Sequence, residues 1–230
     1  MQIEIVPLLK DNYAYILAHD NECVVIDPSE EAVLGALAGR AVTQIWCTHH
    51  HMDHVGGVEA VAAAFPNAKI AGSAYDREHG RVPRQNVVAR EGEDLALGSL
   101  PVRVLDVPGH TLGAVAYLVG DALFTGDTLF LAGCGRMFEG TPEVMHASLQ
   151  KLATLPLNTR VFVGHEYTES NLRFGRAAEP DNAAITARAA ALPKAPTVPG
   201  TIREELATNV FLRATSPAAF AALRTRKDSF

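Results

Sequence analysis

Four histidines and one aspartate crowd into THHHMDHVGG, a stretch of ten residues that begins at Thr48. It contains the pattern HxHxDH, whose donors are His49, His51, Asp53 and His54. Imidazole nitrogens and carboxylate oxygens are typical ligands of divalent cations. Four donors in six residues exceed what one tetrahedral ion readily accepts from so short a segment, so the pattern predicts two metal ions. The alternative interpretation is an exposed histidine-rich loop that binds nickel or zinc loosely.

Three further donors stand in a common context later in the chain. His110, Asp127 and His165 each follow a predicted strand through a glycine. Glycine lets the backbone turn sharply and approach a crowded centre closely. One such dipeptide is more often a plain turn, but three of them in addition to HxHxDH make chance a poor explanation. We therefore expect all seven side chains to contribute to one site.

The elements that must position these donors can be predicted from hydrophobic patterning. The β-branched runs QIEIV, YAYILA and ECVVID predict a meander of strands. Ser29 stands where an N-cap is expected, which predicts a helix reaching Gly39. VTQIWC predicts a strand, and the helical spacing from Val55 to Phe65 places the histidine-rich motif in a strand-to-helix loop.

The second half of the chain divides into two parts of different character. VRVLDV, AVAYLV, ALFTG and VFVG predict strands, with a helix from Pro142 to Leu155 between the last two. Strands in both halves with helices between them predict two sheets sandwiched by helices. From Glu166 onward the chain is alanine-rich, punctuated by prolines and without a convincing strand. We therefore predict domains at residues 1–165 and 166–230.

Composition narrows the range of functions. With 48% hydrophobic and 20% charged residues, the chain is typical of a globular protein, and no apolar run approaches the length of a membrane span. The first residues lack the features of a secretory signal, so we expect a cytoplasmic protein without a membrane partner. A net charge of −6 argues against nucleic acid as a partner. We expect a monomer that acts on a small molecule.

The order of these segments resembles that of the metallo-β-lactamase superfamily. The resemblance implies a four-layer αββα sandwich, an α/β (α+β) fold, with the seven side chains bound to two ions. One ion would be held by His49, His51 and His110, and the other by Asp53, His54 and His165. Asp127 would bridge the two ions. His50 has no ligand role in this pattern, so we assign it to packing or to the support of a ligand.

A closer resemblance, to the glyoxalase II (hydroxyacylglutathione hydrolase) family, runs the full length of the chain. Its marks are THHHMDHVGG, FTGDTLFLAGCGRMFEGTPEVMHASLQKL, VGHEYTESNLRF and LRTRKDSF. It implies a small C-terminal helical domain that binds the glutathione part of a thioester, and residues that contact this part at Arg136, Tyr167, Arg224 and Lys227. Phe138 stands where many family members have a tyrosine, which removes one candidate hydrogen bond to the substrate.

The donor set predicts a mechanism of hydrolysis. Two metal ions, with zinc expected and iron or manganese also suited, lower the pKa of a shared water from about 15.7 towards about 7, which provides a hydroxide nucleophile. Asp53 would orient this hydroxide, and Asp127 would fix the spacing of the metals. The resemblance implies S-2-hydroxyacylglutathione as substrate and a role in methylglyoxal detoxification. The alternatives are a persulfide dioxygenase, a lactonase, an RNA phosphodiesterase and a non-enzymatic metal-binding module.

Overall fold

The computed structural model describes residues 1–93 and 95–230, which form two compact units. The first unit comprises Met1–Asp106 and Gly113–Gly120, and the second comprises Val107–Leu112 and Asp121–Phe230. The domain boundary predicted near residue 166 stays a prediction. Within the described residues, no helix combines the length and apolar character that crossing a membrane requires.

The first unit contains nine strands and four short helices among its described residues. Its strands are β1 (Gln2–Leu8), β2 (Asn12–His19), β3 (Glu22–Ile26), β4 (Val42–Trp46), β5 (Lys69–Ser73), β6 (Val87–Ala89), β7 (Leu95–Leu97), β8 (Leu100–Asp106) and β9 (Val115–Val119). Its helices are α1 (Val33–Leu37), α2 (Met52–Val55), α3 (Val58–Ala64) and α4 (Ala74–Glu78).

Strands β1 to β6 form a mixed sheet in sequence order. The predicted meander is confirmed, because β1, β2 and β3 pair antiparallel, whereas β3 to β6 pair in parallel. One face of the sheet packs against α1 and α3 through apolar side chains such as Val25, Ile45 and Val58. On the other face, Trp46 stacks on Tyr117 of β9 with ring centroids 5.1 Å apart. Strand β4, which leads into the histidine-rich motif, is therefore anchored on both faces.

The first helix differs from the prediction. It begins only at Val33, and Ala32, not Ser29, occupies the N-cap position without a side-chain hydrogen bond. The reason is that the backbone just before it packs against the Gly56-Gly57 pair. Gly57 N–H donates to the Pro28 carbonyl at 2.7 Å, and a Cβ on either glycine would lie 2.6 Å from a carbonyl oxygen of this segment.

The same glycine pair divides the helix predicted from Val55 to Phe65. The chain forms α2, a single turn, and then α3, with the two glycines between them. The prediction that the whole motif occupies a loop is therefore wrong, because Asp53 and His54 lie on α2.

The second unit carries five strands and five helices among its described residues. Its strands are β10 (Ala122–Phe124), β11 (Leu129–Phe130), β12 (Gly133–Cys134), β13 (Arg160–Phe162) and β14 (Gly200–Thr201). Its helices are α5 (Pro142–Ala153), α6 (Thr168–Ala178), α7 (Ala183–Ala190), α8 (Ile202–Thr208) and α9 (Pro217–Asp228).

The second unit contains short paired strands and an aromatic core between its C-terminal helices. Strand β13 pairs in parallel with β10 and antiparallel with β14, while β11 and β12 form a hairpin. The expectation of no strand after residue 166 is wrong, since β14 is one, although it has only two residues. Phe211 packs between Phe174 and Phe220, with ring centroids 5.7 and 6.0 Å away. These aromatic side chains anchor α6 and α9 in the unit.

Candidate metal centre and substrate-binding residues

The histidine-rich motif places four donors close together in the first unit. His49 and His54 are buried, whereas His51 and Asp53 are half-buried. The ring centroid of His49 lies 4.8 Å from that of His51 and 4.1 Å from that of His54. The Nε2 atom of His54 lies 3.8 Å from Asp53 Oδ2. Imidazole and carboxylate donors gathered in this way fit a divalent metal ion.

Asp27, which the sequence analysis did not include in the site, orients this cluster. It follows β3 directly, has a left-handed backbone (φ 49°) and is 2% exposed. Its carboxylate accepts hydrogen bonds from Thr48 N–H at 2.7 Å and from the Thr48 hydroxyl at 2.6 Å, and its Oδ2 lies 3.0 Å from His54 Nδ1. Because a carboxylate accepts, His54 carries its proton on Nδ1, which makes Nε2 the nitrogen that could bind a cation.

Asp27, His49 and His54 also offer ligand atoms within 4.8 Å of one another, which is compatible with a metal site of their own. The hydrogen bonds described above oppose that arrangement, because both Asp27 oxygens already accept from protein donors. The position of Asp27 therefore fits a residue that orients candidate ligands better than it fits a ligand. The sequence signal that could have found it is an aspartate that directly follows a strand and precedes a proline.

The second unit brings together the three later donors. Asp127 Oδ2 lies 3.4 Å from His110 Nε2 and 3.3 Å from His165 Nε2, and all three residues are buried. His110 Nδ1 lies 2.8 Å from the carbonyl oxygen of Arg136, to which it donates. This bond again fixes the proton on Nδ1 and directs Nε2 towards the carboxylate. Gly135 is required here, since a Cβ would lie 2.0 Å from the Asp127 carbonyl oxygen.

His50 contacts a buried carboxylate, which is compatible with the predicted role in packing or in the support of a ligand. Its Nδ1 lies 3.4 Å from Asp76 Oδ1, and Asp76 is fully buried at the start of α4. The Ser73 hydroxyl, the N-cap of α4, accepts from the Asp76 N–H at 2.9 Å. The contact with Asp76 ties the backbone between His49 and His51 to a neighbouring helix.

Three residues predicted to bind substrate lie around the second group of donors. The Tyr167 ring stacks on His165 with centroids 4.8 Å apart, and the Phe138 ring meets His110 edge to face at 5.3 Å. Phe138 is 64% exposed and Tyr167 is 37% exposed, so both present surface to solvent beside a donor histidine. The Arg136 side chain is 63% exposed, and its Nε lies 3.4 Å from Asp228 Oδ1.

The two basic residues of α9 differ in their surroundings. Arg224 is 5% exposed, donates to the Cys134 carbonyl at 3.0 Å and to Asp228 at 2.8 Å, and lies over the Phe211 ring. Lys227 is half-buried and donates to the Ser170 carbonyl at 3.2 Å. Burial, reinforced by the neighbouring arginines, lowers the pKa of the Lys227 ammonium group to about 8. The Lys227 side chain therefore changes its charge at a pH close to neutral.

Cys134 has the properties of a structural residue. It is buried, and burial raises the pKa of its thiol to about 11, although Arg224 acts in the opposite direction. A thiol with so high a pKa is a poor nucleophile at neutral pH. All three cysteines are free and buried.

Comparison with known proteins agrees with the geometry. Residues 9–165 match the family model of the metallo-β-lactamase superfamily, and residues 166–230 match that of the hydroxyacylglutathione hydrolase C-terminus. The chain therefore belongs to the metallo-β-lactamase superfamily. This confirms the predicted fold class, an α+β fold of mixed sheets and helices with a C-terminal helical region.

Curated relatives narrow the family further. The hydroxyacylglutathione hydrolase of Acidiphilium cryptum is 48% identical over 98% of this chain and 95% of its own length. That of Cupriavidus taiwanensis is 47% identical over 97% of this chain and 90% of its own length. Within the superfamily, the chain belongs to the hydroxyacylglutathione hydrolase family. Among solved structures, ETHE1 from Myxococcus xanthus has a TM-score of 0.76 at 27% identity, covering 98% of this chain and 90% of that one.

Proposed function

We propose that this protein hydrolyses S-2-hydroxyacylglutathione thioesters, such as S-D-lactoylglutathione, to glutathione and a 2-hydroxy acid. The observation that carries the proposal is the match of residues 166–230 to the C-terminal region of hydroxyacylglutathione hydrolases, next to a metallo-β-lactamase region. A C-terminal match of this kind favours the hydrolase over the dioxygenase and lactonase alternatives. Removal of a thioester derived from methylglyoxal is the proposed cellular role. The predicted cytoplasmic location and monomeric state stay predictions.

The proposed metal ligands are the seven side chains that the family resemblance implies. His49, His51 and His110 would hold one ion, while Asp53, His54 and His165 would hold the other. Asp127 would serve both ions. Zinc suits these nitrogen and oxygen donors, as do iron and manganese. When bound, the pair of ions supplies a hydroxide nucleophile at neutral pH and polarises the thioester carbonyl.

The side chains contribute position and charge to the reaction. Asp53 is proposed to orient the attacking oxygen as a hydrogen-bond acceptor. A thiolate with a pKa near about 8.5 leaves with little protonation, so the reaction needs no dedicated general acid. Arg136, Tyr167, Arg224 and Lys227 are proposed to bind the glutathione part, with Phe138 providing an apolar contact. Arg224 also donates to the Cys134 carbonyl and to Asp228, so it holds the segment that carries Arg136 as well.

The proposal is tested with purified protein and S-D-lactoylglutathione. We expect thioester absorbance to fall while free thiol appears in equal amount, without oxygen consumption. Oxygen uptake with a glutathione persulfide, and no thiol release from the thioester, would instead identify a dioxygenase. Absence of turnover with both substrates in the fully metal-loaded protein would favour a non-enzymatic metal-binding module.

The charge of Lys227 predicts that the KM for the thioester depends on pH. Its ammonium group is charged below a pKa of about 8 and loses its charge as the pH rises through that value. Because the charged form attracts the carboxylates of glutathione, KM is expected to rise above pH 8 with little change in kcat. Lys227→Met should raise KM at pH 7 by about tenfold, the equivalent of roughly 1.4 kcal/mol, and remove this pH dependence.

The matched control for Lys227 is its neighbour Arg226. Arg226 is exposed and contacts the Ala177 carbonyl at 3.3 Å, so Arg226→Met should leave KM nearly unchanged. Steady-state kinetics from pH 6 to 9 provide the measurement. A Lys227→Met variant with normal KM and a collapsed kcat would contradict a role in binding.

A further inference from the structure

Asn12 lies beside the proposed ligand Asp53, and the sequence analysis assigned it no role. It is the first residue of β2 and is 4% exposed. Its Nδ2 donates to the Asp53 carbonyl oxygen at 2.8 Å and to Asp53 Oδ2 at 3.2 Å. One amide group thus contacts both the backbone and the carboxylate of the same residue, across 41 positions of sequence.

Turn chemistry does not explain an asparagine at this position. Asparagine is common in hairpins because it tolerates a left-handed backbone. In the hairpin between β1 and β2, the left-handed residue is Leu9 (φ 49°), whereas Asn12 pairs with Leu8 in the extended ladder. A buried amide in a regular strand normally needs hydrogen-bond partners, and Asp53 supplies two acceptors.

Asp53 is a side chain that benefits from such a tether. It lies on α2, a helix of one turn, and its side chain is 42% exposed. An exposed carboxylate on a short side chain can rotate towards solvent, and a metal site then loses the geometry that binding requires. The Asn12 amide restrains the Oδ2 atom, which also lies 3.8 Å from His54 Nε2. An amide donor is neutral and leaves the full negative charge of the carboxylate for a cation, whereas a lysine would offset that charge.

We propose that Asn12 is a positioning residue, which holds the Asp53 carboxylate in the orientation that binds the second metal ion. This inference rests on the proposed function, in which Asp53, His54 and His165 hold that ion. Residues that orient ligands typically change metal affinity by about 10–100-fold. The loss should fall on one of the two ions, since Asn12 contacts a ligand of only that ion in the proposed assignment.

The test is a titration of metal-free protein with zinc or cobalt in competition with a chelator, which resolves two binding steps. Asn12→Ala should bind the first ion with wild-type affinity and the second about 10–100-fold more weakly. Asn12→Asp should lose at least as much, because a carboxylate cannot donate at neutral pH and repels Asp53. Asn12→Ser, which keeps a small polar group at the buried position, guards against poor folding and should show the same selective loss.

Gln85 provides the matched control. Its side-chain amide donates to the carbonyls of Gly72 at 2.7 Å and Ser73 at 2.9 Å, neither of which is a proposed ligand. Gln85→Ala should therefore lower thermal stability but preserve both binding steps. If Asn12→Ala and Asn12→Ser bind both ions with wild-type affinity, the inference about Asn12 is overturned, whereas the proposed function is not. A wild-type protein that binds fewer than two ions would overturn the proposed metal assignment as well.

Discussion

Replacing Asp127 with alanine is expected to remove most bound metal and most turnover together. The Asp127 carboxylate lies 3.4 and 3.3 Å from the Nε2 atoms of His110 and His165. It is 7% exposed and follows β10 directly through Thr125 and Gly126. If it serves both ions, its loss should exceed the about 10–100-fold effect typical of residues that only support a ligand.

Elemental analysis and thioester kinetics measure this effect on the same preparation. Asp121→Ala is the control in the same unit, because Asp121 forms a surface ion pair with Arg160 at 2.7 Å and serves no proposed ligand. We expect that variant to keep its metal and its kcat. An Asp127→Ala protein with two bound equivalents and full activity would refute the shared role of Asp127.

Replacing Asp27 with alanine is expected to weaken both the metal site and the fold. The change leaves buried donors on Thr48 and His54 without their carboxylate acceptor, each at a cost of about 1–3 kcal/mol. It also frees His54 to rotate and to exchange its tautomer, so metal affinity should fall by about 10–100-fold. Thermal unfolding and chelator competition measure the two effects separately.

Asp27→Asn removes the negative charge of the side chain but keeps its size, so the same experiment distinguishes the effects of charge and of shape. The amide can still accept from Thr48 N–H through its oxygen, but its NH₂ group then faces a donor on Thr48 or His54. We expect this variant to recover part of the lost stability and little of the lost metal affinity. If Asp27→Ala lowers the melting temperature but binds metal as tightly as wild type, Asp27 serves the fold only.

Much of the candidate site could be predicted because its donors follow each other closely or follow a glycine at a strand end. HxHxDH is a local pattern, and the three later donors share one context, so residue type and spacing were sufficient to propose them. Asp27 and Asn12 could not be found in this way. Their partners lie 21 and 41 positions further along the chain. The parallel pairing of β3 with β4 brings Asp27 to Thr48, and the packing of α2 against β2 brings Asn12 to Asp53.

Where the structure differs from the prediction, the features concerned depend on tertiary packing or are too short to leave a pattern in the sequence. Ser29 has the residue type of an N-cap, but the backbone of its segment packs against Gly56 and Gly57. Helix α1 therefore begins later, at Val33. Strand β14 has two residues, too few for any periodic pattern. Arg224 and Lys227 lie three positions apart on α9, but spacing alone could not show that Arg224 is buried against Phe211.

The most direct test of the central claim is a metal titration of the chelated protein with activity followed at each step. We predict that S-D-lactoylglutathione hydrolysis is lost on chelation, and that full kcat returns only as the second equivalent of zinc per chain binds. Full activity with one equivalent, or activity that survives removal of all metal, would contradict a catalytic site built on two ions.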